Sequence, residues 1–201
     1  MPRSWRLAYL AVLLAAAGCS SPTTAPSASS QTLHGEVSDP TGDALSDFRV
    51  FVSPDLVHAT ADVVAGNLTF VIQLAPGTLD RQTTRVSVLL DTDQNASTGV
   101  SEASGFGADY GIDLAAGTSQ ATVTKADAVG CAAHLSCFNA IGSAPITFVT
   151  DGMQVTVSLS LLGNDDGKMS FQMNSYVLAT PSTSVVLDVM PDSNLPAGRI
   201  Q

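Results

Sequence analysis

An acidic string, DTDQNASTG from Asp91 to Gly99, carries the clearest chemical pattern in the sequence. It follows an apolar run and places Asp91, Asp93 and Asn95 at alternate positions of a tight loop. Calcium takes several oxygen ligands from carboxylate, amide and backbone carbonyl groups, and loops of this spacing wrap such groups around one point. The spacing therefore predicts a calcium site. The alternative is an acidic turn whose Asp and Asn side chains cap their own backbone.

This loop shares its first positions with the EF-hand pattern D-x-[DN]-x-[DN], and Glu102 falls at the twelfth position. Ala96, however, stands where that pattern has Gly, and a strand rather than a helix precedes the loop. We therefore expect a calcium loop that is not an EF-hand. Arg81 and Arg85 are the basic residues that would replace the ion if the site holds none.

Two further acidic strings are candidates to complete this loop if the fold brings them near. They are SDPTGDALSD, with Asp39, Asp43 and Asp47, and GFGADYGID, with Asp109 and Asp113. The alternative interpretation is that these acids are solvated turn residues. A third string, NDDG from Asn164 to Gly167, predicts a hairpin turn.

The sequence lacks a recognisable catalytic constellation. Its three histidines, His34, His58 and His134, have no HExxH or paired spacing, and the chain has no G-x-S-x-G, S-x-x-K or Gly-rich phosphate loop. Paired carboxylates for glycoside hydrolysis could exist among so many Asp residues, but Asp in turns is the simpler interpretation. We expect that the protein is not an enzyme.

The N-terminus has the three parts of an export signal. A basic start with Arg3 and Arg6 precedes an apolar run from Leu7 to Ala17, which is shorter than the roughly 20 residues that span a bilayer. The string AAGC that follows resembles the lipobox of bacterial lipoproteins. This resemblance implies a signal peptide at residues 1–18 and a lipid on Cys19, with an ordinary secretory signal and an incidental cysteine as the alternative.

Residues 19–33 contain no charge and almost no large apolar side chain, so they predict a flexible Ser/Thr/Pro/Ala tether. Residues 34–201 are long enough for one domain with its own core. Because two of the eight basic residues would leave with the signal, the mature chain carries a net charge near −12. This charge argues against nucleic acid as a partner. We expect a protein of the cell envelope, anchored by its lipid on the extracytoplasmic side of a membrane.

The remaining two cysteines, Cys131 and Cys137, form the string CAAHLSC. In an exported, oxidising setting they are expected to form a disulfide with each other. A zinc site that includes His134 is the alternative, but it needs four ligands and no other histidine is near in sequence.

Alternating apolar and polar residues predict strands, most clearly at Leu68–Leu74 and at Val155–Leu161. Turn signals at Ala65–Gly66 and Asp151–Gly152 predict two hairpins. The other predicted strands are Arg49–Ser53, Arg85–Leu90, Tyr110–Leu114, Ala121–Lys125, Phe171–Leu178 and Val185–Val189. The pattern predicts an all-β fold, an antiparallel β-sandwich of jelly-roll or immunoglobulin-like type.

The order of these motifs resembles exported bacterial domains of the DOMON-like and family 9 carbohydrate-binding-module superfamily. The resemblance covers most of residues 38–192, in the strings DPTGDA, PDLVHATADVVAGNLTFVIQLA, VSVLLDTDQNASTG, GADYGIDL, MQVTVSLSLLG and VVLDVMPD. It implies a two-sheet sandwich, accessory binding rather than catalysis, and a calcium site at Asp91, Asp93 and Asn95 with Asp109 close by.

Sugar modules usually stack sugars on exposed aromatic rings, whereas the only tryptophan, Trp5, lies in the predicted signal. Tyr110 and Tyr176 are the aromatic residues left for such a role. We therefore expect a binding or structural module with a protein or glycan partner, and a carbohydrate-binding module with a polar-loop site is the alternative.

Overall fold

The computed structural model describes residues 32–47, 52–101, 105–133, 136–180, 183–192 and 194–201. The predicted signal peptide, Cys19 and most of the predicted tether lie outside these residues, as do Glu102, His134 and most of the predicted strand at Arg49–Ser53. No helix in the described part of the chain is long and apolar enough to span a membrane.

The described elements are almost entirely strands, which confirms the predicted all-β class. The strands are β1 (Leu33–Ser38), β2 (Leu56–Val64), β3 (Asn67–Leu74), β4 (Arg85–Asp91), β5 (Val100–Ser101), β6 (Gly107–Ala108), β7 (Tyr110–Ala115), β8 (Gln120–Ala126), β9 (Phe138–Val149), β10 (Gly152–Ser158), β11 (Ser170–Thr180), β12 (Thr183–Met190) and β13 (Gly198–Arg199). One helical turn, α1 (Ala128–Ala132), and one 3₁₀ turn (Leu159–Leu162) accompany them.

Ten strands pair antiparallel in the order β1-β2-β3-β10-β9-β8-β7-β4-β11-β12. The long strand β9 belongs to both layers, because residues 138–145 pair with β8 and residues 146–149 pair with β10. The result is a sandwich whose two sheets share one strand. The short pair β5 and β6 lies outside this order.

Both predicted hairpins are present. Strands β2 and β3 meet through Ala65 and Gly66, both with positive φ, which matches the twist of the flanking strands. Strands β9 and β10 meet at Asp151, which also has positive φ. The predicted alternation along β3 is confirmed, with Leu68, Phe70 and Ile72 fully buried.

The core fills the space between the two sheets. Phe70 of β3 and Phe171 of β11 meet edge to face with their ring centroids 5.3 Å apart. Four methionines from different segments are also fully buried: Met153, Met169, Met173 and Met190. The core therefore depends on both layers.

Two predictions about local structure are wrong. Strand β10 ends at Ser158, whose side chain accepts a hydrogen bond from the Ser160 amide, so Leu159 and Leu161 lie in a 3₁₀ turn rather than in the strand. The NDDG string is not a hairpin turn either. It lies on the connection from β10 to β11, and these strands are not neighbours, because β11 pairs with β4 and β12.

The strand order ends at the edge strands β1 and β12, and we call the boundary between these two edges the seam. At one end, the His34 and Gln201 backbones exchange two hydrogen bonds of 3.3 and 3.2 Å, while β13 pairs with β11. At the other end, the Leu45 amide donates to the Leu187 carbonyl of β12 at 2.7 Å. The segment after β1 and the residues after β13 therefore close the two ends of the seam.

Candidate acidic metal site

The fold gathers three carboxylates at the end of β4. Asp91 is the last residue of β4, and Asp109 directly precedes β7, whose Tyr110 pairs with Leu90. One carboxylate oxygen from each of Asp91, Asp93 and Asp109 lies within 4.8 Å of the others. The ladder between β4 and β7 therefore brings Asp109 to the loop, whereas Asp113 lies farther along β7 opposite Ser87.

Backbone hydrogen bonds give the Asp91–Gly99 loop its shape. The Asn95 amide donates to Asp91 Oδ1 at 3.0 Å and to Asp93 Oδ1 at 2.9 Å. The Thr98 hydroxyl lies 2.9 Å from Asp93 Oδ2, and Asn95 Oδ1 accepts from the Ser97 amide at 3.2 Å. These are the contacts of a capped acidic turn, and they turn the Asn95 amide oxygen towards its own backbone.

Asp109 is held by the first residue after the strand. Its Oδ2 accepts hydrogen bonds from both the amide and the hydroxyl of Thr92, each at 3.0 Å. Because Thr92 fixes Asp109 and the Asn95 amide fixes Asp91 and Asp93, all three carboxylates have a defined position without any ion.

The electrostatics of this site are unfavourable for three ionised carboxylates. Asp91 is only 4% exposed. Burial raises its pKa to about 6, and a close contact with the Asp93 carboxyl group and the charges of Asp109 and Asp93 act in the same direction. Burial also raises the pKa of Asp165, with Asp109 among the charges that add to the effect. A proton or a cation relieves this crowding.

An open pocket of about 380 Å³ adjoins two of the three carboxylates, those of Asp93 and Asp109. Its lining includes Asp93, Asp109, Tyr110, Lys125 and Ala128. Tyr110 is only 7% exposed, and the Lys125 ammonium lies 5.8 Å from the centre of its ring. The pocket therefore presents polar groups and one cation rather than an open aromatic face.

The basic residues predicted to replace an ion lie elsewhere. The Arg81 guanidinium stacks over the Phe148 ring, 4.5 Å from its centre. Arg85 begins β4, at the opposite end from Asp91, and interacts with the Tyr176 hydroxyl. Among the described residues, the one ion pair within 4.0 Å joins His34 and Asp62. The three carboxylates thus have no arginine or lysine this close within the described part of the chain.

Two acids proposed as additions to the loop lie in another cluster. Asp39 and Asp43 lie near the seam, where three acids that the sequence pattern did not indicate join them, Asp55, Asp188 and Asp192. These five residues come from segments far apart in sequence, so no local spacing indicates them. A weak signal existed, because all five lie within three of the strings that carry the family resemblance, DPTGDA, PDLVHATADVVAGNLTFVIQLA and VVLDVMPD.

A disulfide joins Cys131 and Cys137, as predicted. It connects α1 to the segment before β9, and Asp127 caps α1 through a 2.8 Å hydrogen bond from the Gly130 amide. Ala128 at the start of α1 lines the pocket beside Asp93 and Asp109. The disulfide therefore supports one wall of the acidic pocket.

A scan against protein-family models and a search of curated proteins found no match to this chain.

Proposed function

We propose that the chain is a lipid-anchored, non-catalytic binding or structural module of the cell envelope, stabilised by calcium bound at Asp91, Asp93 and Asp109. The observation that carries this proposal is the convergence of three carboxylate oxygens within 4.8 Å beside an open pocket. The N-terminal signal and Cys19 support the anchor. The partner of such a module is a protein or glycan outside the cytoplasm.

The chemistry of the donor set favours calcium. Calcium binds oxygen ligands at 2.3–2.6 Å, so two ligands of one ion lie within about 5 Å of each other, as these oxygens do. Two carboxylates about 5 Å apart repel by roughly 3 kcal/mol at an effective dielectric near 20. A bound divalent cation removes this repulsion, and backbone carbonyls or water supply the remaining ligands.

Thermal unfolding of the full chain in detergent tests the calcium proposal. Saturating calcium binds only the folded loop and therefore raises the melting temperature, while a chelator lowers it. Asp93→Asn should lose the part of this increase that the loop contributes. Asp62→Asn is the matched control, since Asp62 is a partly exposed acid that bonds His34 away from the loop. Equal calcium responses of Asp93→Asn and the wild type would contradict calcium binding at the loop.

Membrane fractionation tests the anchor. A diacyl anchor with an added N-terminal acyl chain buries far more hydrocarbon than a single chain, so the wild type should sediment with membranes. Cys19→Ala should remain uncleaved or appear in the soluble fraction. Normal processing of this variant, together with a fully soluble wild type, would contradict lipidation.

The pocket beside the loop supports carbohydrate binding as a second candidate. A cation held by Asp93 and Asp109 would border this pocket, and Lys125 adds a hydrogen-bond donor for sugar hydroxyls. Against ring stacking, none of the aromatic side chains in the described part of the chain is fully exposed. A glycan array with the wild type and Lys125→Ala tests this candidate. Sugar binding that Lys125→Ala weakens supports it, and an array without binding contradicts it.

A further inference from the structure

Five aspartates from distant parts of the chain meet at the end of the seam that Leu45 closes. We call them the five-aspartate cluster: Asp39, Asp43, Asp55, Asp188 and Asp192. They form two groups whose carboxylate oxygens lie within 4.8 Å of one another, and Asp43 belongs to both groups. Since Ser170 of β11 pairs with Asp91 and Ser175 pairs with Asp188, five residues of strand, roughly 17 Å, separate this cluster from the loop site along β11.

Part of the cluster is deeply buried and incompletely hydrogen-bonded. Asp55 is 4% exposed, and its Oδ2 accepts from the Gly42 amide at 2.7 Å, while its Oδ1 has no hydrogen-bond partner among the described residues. Asp39 Oδ2 is likewise buried without a partner. A buried carboxylate oxygen without a partner is costly, so an unpaired oxygen among other carboxylates indicates a missing positive group.

The neighbours of these acids are mostly other acids. Burial raises the pKa of Asp39 to about 7, and the charges of Asp188, Asp192 and Asp43 act in the same direction. Burial raises the pKa of Asp188 to about 6, with further contributions from Asp43 and Asp55. No lysine or arginine of the described residues lies within 4.0 Å of these carboxylates.

The cluster is open to solvent on one side. A pocket of about 220 Å³ is lined by Asp43, Leu45, Asp188 and Asp192, together with the neighbours of Asp188 in β12. Asp43 itself is exposed, whereas Asp188 is 7% exposed and accepts the Leu56 amide at 2.6 Å. An ion therefore has a route from solvent to the buried oxygens.

We infer that Asp43, Asp55 and Asp188 bind a divalent cation of the calcium type. Asp39 and Asp192 flank this ion. All donors are carboxylate oxygens, which hard divalent cations prefer. Within the described part of the chain, Asp55 Oδ1 is buried without a hydrogen-bond partner and is therefore available as a ligand. This site is separate from the Asp91–Gly99 loop and does not depend on it.

The proposed ion joins the two layers. Asp43 lies on the segment after β1, Asp55 precedes β2, and Asp188 belongs to β12. Strands β1 and β2 form the edge of one sheet and β12 forms the edge of the other. Binding at this point therefore fastens the end of the seam opposite His34 and Gln201.

Calorimetric titration of the chelator-stripped full chain in detergent with calcium chloride tests this inference. The wild type should bind two calcium ions, Asp43→Asn one, Asp93→Asn one, and the double variant none. If the wild type binds a single ion, and this ion is retained in Asp93→Asn but lost in Asp43→Asn, the result would support the cluster site and contradict the loop site. Unchanged calcium binding in Asp43→Asn would overturn the inference, whatever happens at the loop.

A second variant tests the same site without disturbing the buried hydrogen bond. In Asp188→Asn the amide oxygen still accepts from the Leu56 amide, whereas the bond from the Val189 amide to the other oxygen is lost and one negative charge is gone. In chelator this variant should melt near the wild-type temperature, because the lower repulsion among the acids offsets the lost bond from Val189. In calcium at a hundred times its dissociation constant, the wild type should gain about 5–10 °C from this site, and the variant should not. Equal gains in both proteins would overturn the inference.

Two further variants complete the test. Glu36→Gln removes an exposed acid of β1 and should bind calcium as the wild type does. Arg49 lies outside the described residues, so Arg49→Gln tests whether an arginine supplies the positive charge. Destabilisation of Arg49→Gln in chelator, with calcium binding of Asp43→Asn unchanged, would assign the charge to Arg49 and overturn the metal site.

Discussion

The Asp91–Gly99 loop and the five-aspartate cluster both bring several carboxylates together, but they do so in different ways. In the loop, two acids two residues apart bond the same Asn95 amide, and only Asp109 arrives from another segment. In the cluster, strands and loops from both sheets bring the acids together, and two oxygens are buried without partners in the part of the chain that the structure describes. A local turn can satisfy its own carboxylates, whereas a site assembled by topology depends on the closed seam and on a cation.

Truncating Ile200 should have the largest effect on this comparison. Ile200 is fully buried and follows β13, which helps to close the seam. Ile200→Ala should lower the free energy of unfolding by about 4 kcal/mol in urea denaturation. Because the Ile200 amide bonds the Met169 carbonyl, beside the Ser170 position that pairs with Asp91, the variant should weaken calcium binding at the loop more than at the cluster. Leu195→Ala, at a half-exposed apolar side chain, is the control and should cost less than 0.5 kcal/mol. Equal weakening of both sites would remove the distinction.

Gly99→Ala should weaken calcium binding at the loop alone. Gly99 has a φ of +68°, and a Cβ there would lie 2.2 Å from the Ala108 carbonyl oxygen. The variant should lose about 3 kcal/mol of stability and calcium binding at the loop. Gly77→Ala isolates the conformational part, because Gly77 also has positive φ but open space around it, and should cost about 1 kcal/mol. A loop that binds calcium normally in Gly99→Ala would contradict the geometry.

Removing the disulfide should have an intermediate effect. The double variant Cys131→Ser and Cys137→Ser opens a short loop, which the chain-entropy model values at about 2 kcal/mol. Because α1 lines the pocket beside Asp93 and Asp109, calorimetry should show weaker calcium binding at the loop and unchanged binding at the cluster. Reducing the wild type with dithiothreitol should reproduce both changes. Weakening at the cluster instead would show that the two sites are coupled.

The smallest effect is expected at the ion pair of His34 and Asp62. Their atoms lie 2.7 Å apart, but both side chains are substantially exposed, so solvent screens the pair. His34→Gln should change the free energy of unfolding by less than 0.5 kcal/mol in urea denaturation. A loss above 1 kcal/mol would mean that side chains, and not the backbone bonds to Gln201, hold that end of the seam.

The sequence predicted what is encoded locally. Alternation located β3 and most of β10, turn residues located the hairpins at Ala65 and Asp151, and the D-x-D-x-N spacing located the loop. It missed β1, and it extended β10 through Leu161 because a 3₁₀ turn also buries apolar residues at short intervals. These errors arise where tertiary packing decides between two local structures.

The five-aspartate cluster was beyond prediction from one sequence for a different reason. Asp39 follows β1 and Asp188 belongs to β12, the two ends of the strand order, so the interaction of their charges is a property of the whole fold. Each acid alone has the composition of an ordinary turn. The unpaired oxygen of Asp55 becomes visible only when its burial is known.

Strand β9 has a consequence for how the domain unfolds. It changes from one sheet to the other between Pro145, which pairs with Gln120, and Ile146, which pairs with Val155. Proline has no amide hydrogen, so the ladder lacks a donor at this corner. Since one continuous strand serves both layers, neither layer can detach without breaking pairing in the other. We therefore expect the slowest-exchanging amides of the two sheets to share one opening free energy and unfold as a single cooperative unit.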